Sequence, residues 1–520
     1  MKKFFLLPVI VFVFNLGFSS QGALKIDPFS DIEFNTDIEK QLINDFFVNK
    51  RKDYRGIFIA IDSTLTKEKL DLNKSILNQH LNKLNDKKFK KASEKKQIKI
   101  IQNYLSDNLL INYEVINNYN EIFLSNKYCE ATAAALYSVI LSKLNIPFII
   151  VTENRSIYLV TWPSSSNVII ENKDPQNRII NYDYRTKSGF AKYIISKYSG
   201  IYDTLFNSPD PDQIFRNYYF PSDTLTMAEL IGIQYLNYTE NLLDNRKVKE
   251  AFNQLEKAYL FYKSERTGFL IFTALSAIIN EIDYTKPDDF KYLYKLAKYK
   301  TFNITNDQII AEFTRATNNI LLLSNDILSY NKIYQGFSKH VSDSILLSEI
   351  SYIYNYEMGR YYLSIDEPVK GNLYIDMSMK LKPNIEKSLS LYIAALAVNI
   401  RDKSPAEILE LMSTQMRKYP FLYENNLYHG LLAETYLLLA SENFEKKNLK
   451  EGIRYLELFE DSYNLNKKLP VSESLIVRTY SVAAVFYFKS GMYNKSKQIL
   501  QTGLKFVPES NELKLRLDAF

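Results

Sequence analysis

Residues 127–175 read KYCEATAAALYSVILSKLNIPFIIVTENRSIYLVTWPSSSNVIIENKDP, and this stretch decides the reading of the chain. Its spacing predicts one helix over 126–145, with Ala131, Ala133, Leu136, Val139, Ile140 and Leu144 on its apolar side. The small residues Ala131 to Ala135 allow a close approach to a sheet, and Pro147 stops the helix. Phe148 to Val151 opens an extended run, and SIYLVT over 156–161 is β-branched and aromatic-rich. Trp162 to Asn167 is turn-like, and VIIE over 168–171 returns as a further strand. Cys129, the only cysteine of the chain, stands at the start of the helix. Taken alone, a cysteine ahead of an alanine-rich helix is usually a small buried hydrophobe. Followed by strand, hairpin and strand, it takes on a second meaning.

That order of elements resembles the transglutaminase-like superfamily over about residues 95–185, and is most similar to exported bacterial members in which such a domain precedes tetratricopeptide-like helices. The resemblance implies an α+β, papain-like domain with Cys129 at the nucleophile position. It also implies that Ser156 holds the place of the family histidine and Glu171 the place of the acidic residue, with Asp174 as second choice. The chain departs from the family at Ser156. The reactive form of a cysteine is the thiolate, a small fraction of an ordinary thiol at neutral pH. A neighbouring imidazole normally takes the thiol proton and later protonates the leaving group, and a serine does neither. The three histidines are His80, His340 and His429, and His80 precedes Cys129, the wrong order for this family. Glu130, beside Cys129, opposes the lowering of the thiol pKa that a helix start provides. The resemblance therefore implies a vestigial site on a binding or scaffold protein. The alternative is a cysteine hydrolase or acyl-transferase acting on envelope peptides with Cys129 as nucleophile. A third reading is tetratricopeptide scaffolding with an incidental front domain.

Outward from this stretch, the amino end carries Lys2 and Lys3, an apolar run over 4–18, then Ser19, Ser20, Gly22 and Ala23. That is the pattern of a signal peptide, expected over 1–22, and the run is shorter than the roughly 20 residues of a membrane-spanning helix. The expectation is an exported protein, periplasmic or extracellular, with outer-membrane association left open. One cysteine excludes a disulfide framework. A net charge of +6 spread over 520 residues is a solvated surface rather than a nucleic-acid footprint. The dense basic run over 86–96, DKKFKKASEKK, reads as a solvated helix face, with a docking patch as the alternative. Amphipathic helices are expected over 37–49, 67–84 and 94–110, and GIFIAI over 56–61 reads as a short strand.

From about residue 227 the strand signal vanishes and helix pairs take over. Gly359, Tyr362, Gly371 and Pro383 sit at the offsets of a tetratricopeptide unit, and Ala484, Tyr487, Gly491, Tyr493, Ser496, Gly503 and Pro508 repeat the pattern. Ala251, Ala258 and Gly452 suggest further units. The chain is thus similar to tetratricopeptide proteins over 227–520, a helical-repeat solenoid with a period near 34 residues and a groove for a protein or peptide partner. The front domain is expected over 24–222, with 208–223 as a proline-broken linker. The surplus of Tyr and Phe, 40 and 32 residues, is expected to serve packing and groove lining together. No phosphate-cradling loop, HExxH, paired CxxC or GxSxG occurs, so neither a metal nor a cofactor is expected.

Overall fold

In the structure, a computed structural model, a four-stranded antiparallel sheet is assembled around the hairpin of the deciding stretch. Residues 26–27, 31–153, 156–171, 182–197, 210–299, 304–383, 385–465 and 469–520 are described. The expected signal peptide and Asp174 lie outside them. The chain forms two compact units, Met1–Ala316 with Gln335–Ser342, and Thr317–Tyr334 with Asp343–Phe520.

In the first unit, two residues of β1 (Asn112–Tyr113) pair in parallel with β2 (Lys127–Tyr128). The sheet proper is β3 (Phe148–Glu153), β4 (Ser156–Thr161), β5 (Val168–Glu171) and β6 (Asp223–Leu225), in the order β5-β4-β3-β6. Register places Leu225, Ile150, Leu159 and Ile170 in one row across all four strands, and all four are buried. Ile149 and Ile169, which alternation sends to the other face, are exposed. The helices of this half are α1 (Asp37–Phe47), α2 (Tyr54–Ala60), α3 (Lys67–Leu84), the single turn α4 (Lys87–Lys90), α5 (Glu94–Asn108), the turn α6 (Glu121–Leu124) and α7 (Glu130–Lys143). Every residue of α7 from Ala131 to Leu141 is buried, as befits a helix that is apolar all round. It packs on β3 and β4, and also touches α2 and α10 (Met227–Asp244).

Two expectations for this half are corrected. GIFIAI does not form a strand: residues 54–60 are helix α2, capped by Asp53, whose carboxylate accepts the Gly56 N–H at 2.9 Å. Gly56 to Ala60 are all buried, and a short apolar run enclosed on every side has no periodicity to separate helix from strand. Nor are the described residues of 208–223 a linker. Residues 211–219 are helical, as α9 (Pro211–Ile214) and a π-helical turn, and β6 follows as an edge strand of the sheet. Phe215 and Tyr219 of that turn stack at 4.2 Å between ring centroids. They meet Phe190 of α8 (Tyr184–Lys197), which also meets Phe269 of α12 (Glu265–Glu281). Aromatic packing thus ties α8 and the π-helical turn to α12. The first unit continues through α10, α11 (Val248–Phe261), α12, α13 (Phe290–Lys298) and α14 (Asn306–Thr317).

The second unit is an array of helix pairs. After α15 (Ile327–His340), which spans the division, come α16 (Ser344–Ser364) with α17 (Pro368–Leu381), α18 (Glu386–Asn399) with α19 (Pro405–Lys418), α20 (Asn426–Glu445) with α21 (Leu449–Leu465), and α22 (Glu473–Lys489) with α23 (Tyr493–Phe506). The short α24 (Asn511–Asp518) closes the row. First helices of successive pairs also touch, α16 with α18, α18 with α20 and α20 with α22, the nearest-neighbour stacking of a repeat array. The glycines have a packing cause. A Cβ on Gly359 would lie 2.6 Å from Ile375 Cγ1, and one on Gly503 2.9 Å from Tyr480 Cγ. Ser496 Oγ donates to the Ala484 carbonyl at 2.8 Å, bringing α23 against α22. The spacing is looser than 34 residues, because α16 and α20 run 21 and 20 residues.

Candidate functional site

Cys129 is the N-cap residue of α7, in extended backbone at φ −126° and ψ 174°. Its N–H donates to Thr132 Oγ1 at 2.9 Å, and that hydroxyl lies 3.2 Å from the Cys129 carbonyl and 3.5 Å from Sγ. This reciprocal closure over Cys-x-x-Thr serves the first orphan N–H groups of the helix, as a capping box does. Two more polar groups stand 4.0 Å from the sulfur, the carbonyl of Asn117 and Nδ2 of Asn237 on α10. The thiol is buried. Burial pushes its pKa up, and the Thr132 hydroxyl and N–H draw back only part of that shift. A helix start that would favour a thiolate in water here lies buried instead.

Ser156 opens β4 opposite Glu153, and Glu171 closes β5 opposite Tyr158. Alternation places Ser156, Tyr158 and Glu171 on one face of the sheet, away from the buried Leu225–Ile150–Leu159–Ile170 row. The strand residue that meets the start of α7 is Ile157, whose N–H donates to Glu130 Oε2 at 3.3 Å. So the helix start and the strand start are adjacent, and the groups joined are Glu130 and a main-chain N–H. The groups given at the sulfur are Thr132, Asn117 and Asn237. His80 sits between α3 and α5, with Nδ1 2.8 Å from Tyr104 Oη, and His340 stacks on Tyr294. Sequence reading missed Thr132, Asn117 and Asn237. Only Thr132 left a signal, the hydroxyl three residues after a helix cap.

Among the described residues no group of three or more His, Cys, Asp or Glu side chains is placed to hold a metal ion, and no helix is long and apolar enough to cross a membrane.

No protein family matches the chain by sequence, and no curated protein matches it either. Among solved structures, it is aligned with the crystal structure of the APC/C hetero-tetramer Cut9-Hcn1 at 13% identity, over 92% of this chain and 89% of that one, with a TM-score of 0.17. At that score the likeness carries no argument. What the molecule's own packing shows is a helical-repeat array of stacked helix pairs in the second unit, and a four-stranded sheet with its helices in the first.

Proposed function

We propose that this chain is an exported, non-catalytic binding or scaffold protein, in which a degenerate transglutaminase-like domain precedes a helical-repeat array that takes a protein or peptide partner. The observation that carries the reading is the state of Cys129. Its sulfur is enclosed by the Thr132 hydroxyl, the Asn117 carbonyl and the Asn237 amide, none of them a base, and its pKa is raised by burial. A cysteine nucleophile needs the opposite on every count, an exposed thiolate beside a base. Export rests on the charged and apolar pattern of residues 2–18. It is tested by the amino-terminal mass of the protein recovered from the producing cell, where an intact Met1 contradicts it.

The functional reading is tested by in-cell cross-linking of the full chain beside Cys129→Ala. A scaffold gives the same set of cross-linked partners in both. An enzyme gives a covalent acyl adduct on Cys129 by intact mass in the wild type alone, and finding that adduct contradicts the proposal.

A further inference from the structure

In the first unit, residues 31–35 run from a turn at Asp31 to the start of α1 as a strap held to α11 and α13 by side chains. Lys298 Nζ binds both carboxylate oxygens of Asp31 at 2.7 Å, and Lys295 Nζ donates to the Asp31 carbonyl at 2.7 Å. Two residues on, Glu33 takes Lys291 and the Asn253 amide, the latter at 2.9 Å. Lys291, Lys295 and Lys298 fall at i, i+4 and i+7, on one face of α13. Asn35 accepts from Gln254 Nε2 at 3.0 Å. The recognition elements are therefore Lys298 on Asp31 and Lys291 on Glu33, two carboxylates two residues apart, with Lys295, itself paired with Glu256 at 2.6 Å, on the main chain and amides of α11 beside them.

The fit is incomplete where the strap meets α11. Gln254 is 2% exposed, yet its Oε1 has no hydrogen-bond partner, and neither has Asn253 Oδ1 or Asn35 Nδ2. A buried acceptor without a donor is costly, and an extended peptide offers main-chain N–H groups that the strap does not place there. Glu33 and Lys291 form the solvent-facing edge of the contact, with side chains 45% and 32% exposed, so the strap is accessible from that side. Its far end is fixed more deeply, through Glu39 in the core.

We propose that the lysine-lined face of α11 and α13 is a binding site for an extended acidic peptide segment of a partner protein, and that residues 31–35 of the chain are its resident occupant. This rests on the scaffold reading above and names the chemistry of its partner. The partner segment carries carboxylates two residues apart and binds by displacing the strap. The apparent affinity of wild type for such a peptide is then reduced by the small fraction of molecules with the strap open.

The test uses the full chain and a fluorescein-labelled peptide of residues 31–36, DIEFNT, followed by anisotropy. The double substitution Asp31→Asn, Glu33→Gln loosens the strap and leaves every lysine in place. It is expected to bind the peptide about tenfold or more tightly than wild type, by the release of that occupancy, with no gain for a scrambled peptide. Equal binding by wild type and a variant of unchanged circular dichroism overturns the proposal, as does equal binding of the scrambled peptide. Should the double variant not fold, Glu33→Gln alone at the exposed edge serves, with hydrogen exchange of wild type as a second readout. The amides of 32–36 are expected to exchange well ahead of those of α11, and exchange only together with α11 refutes a displaceable strap. Cross-linked partners of the intact chain are scored separately, so loss of the peptide signal and loss of the scaffold reading are distinguishable.

Discussion

Replacing Glu39 with glutamine isolates the most deeply buried charge pair of the first unit. Both Glu39 and Lys257 are fully buried. Glu39 Oε1 accepts from Lys257 Nζ at 2.8 Å and from Tyr235 Oη at 2.7 Å, while Oε2 accepts the Asn35 N–H at 2.5 Å. Burial pushes the Lys257 pKa down, and the Glu39 carboxylate pulls it back up. Glu39→Gln leaves the ammonium inside the protein facing a neutral amide, and removing one partner of a buried pair costs about 3–5 kcal/mol. Adding Lys257→Met takes away the stranded charge and keeps an apolar side chain of similar length. What then remains is imperfect hydrogen bonding at the introduced amide, which costs roughly 1–2 kcal/mol. The double variant is thus expected to be more stable than Glu39→Gln alone by about 2–3 kcal/mol, the difference between those two costs. Urea unfolding followed by the fluorescence of Trp162, the only tryptophan and a residue of the first unit, reads this directly. A single variant that loses less than about 1 kcal/mol, or a double variant whose loss is the sum of the singles, refutes the reasoning.

Asp53→Asn keeps the cap of α2 but removes a charge. Burial would raise the Asp53 carboxyl, yet Lys74 at 2.8 Å and the Gly56 N–H hold it below its ordinary value. A depressed carboxylate stabilises the fold above its unfolded pKa and loses that contribution as pH falls through its folded value. The wild type is therefore expected to lose stability between about pH 5 and 3 more steeply than Asp53→Asn, in melting temperatures taken across that range; parallel curves would count against it. Gly359→Ala drives a Cβ to 2.6 Å from Ile375 Cγ1, and overpacking of about 1–3 kcal/mol outweighs the roughly 1 kcal/mol of helix propensity gained. Hydrogen exchange should show α16 and α17 losing protection while the Trp162 transition stays in place, and unchanged protection refutes the close-packing account. Thr132→Val removes the acceptor of the Cys129 N–H at 2.9 Å and should cost about 1–2 kcal/mol in the same urea assay; no loss would show the cap to be dispensable.

The local parts of the fold were legible. Helix α3 runs over the residues its pattern predicts, and β4 and β5 likewise, because turn residues at Trp162 to Asn167 and an apolar alternation speak for themselves. The glycines of α16, α17 and α23 were legible because small residues at fixed offsets leave a trace where helices cross closely. Other elements were decided at a distance. The pairing of Ile150 with Leu225 has no local signature, so no strand is expected at 223–225. Residues 56–61 carry no periodicity because every side of α2 is covered. The strap's carboxylates meet lysines more than 200 positions away, and in the sequence both look like ordinary surface charge. At the candidate site the start of α7 was legible. The partner of Glu130 on β4 was not, because it is the main-chain N–H of Ile157, and a main-chain group leaves no trace in residue type.

The central claim is that Cys129 no longer serves chemistry, and the rate of its alkylation against pH tests that claim most directly. The folded full chain is treated with iodoacetamide, with Cys129→Ala as the blank. With the sulfur enclosed and its pKa pushed up by burial, the account predicts slow labelling that is still climbing above pH ~8.5, the ordinary thiol value, and becomes fast only on unfolding. A rapid rate that levels off below about pH 7, the range of an activated cysteine, would reveal a stabilised thiolate and contradict the account.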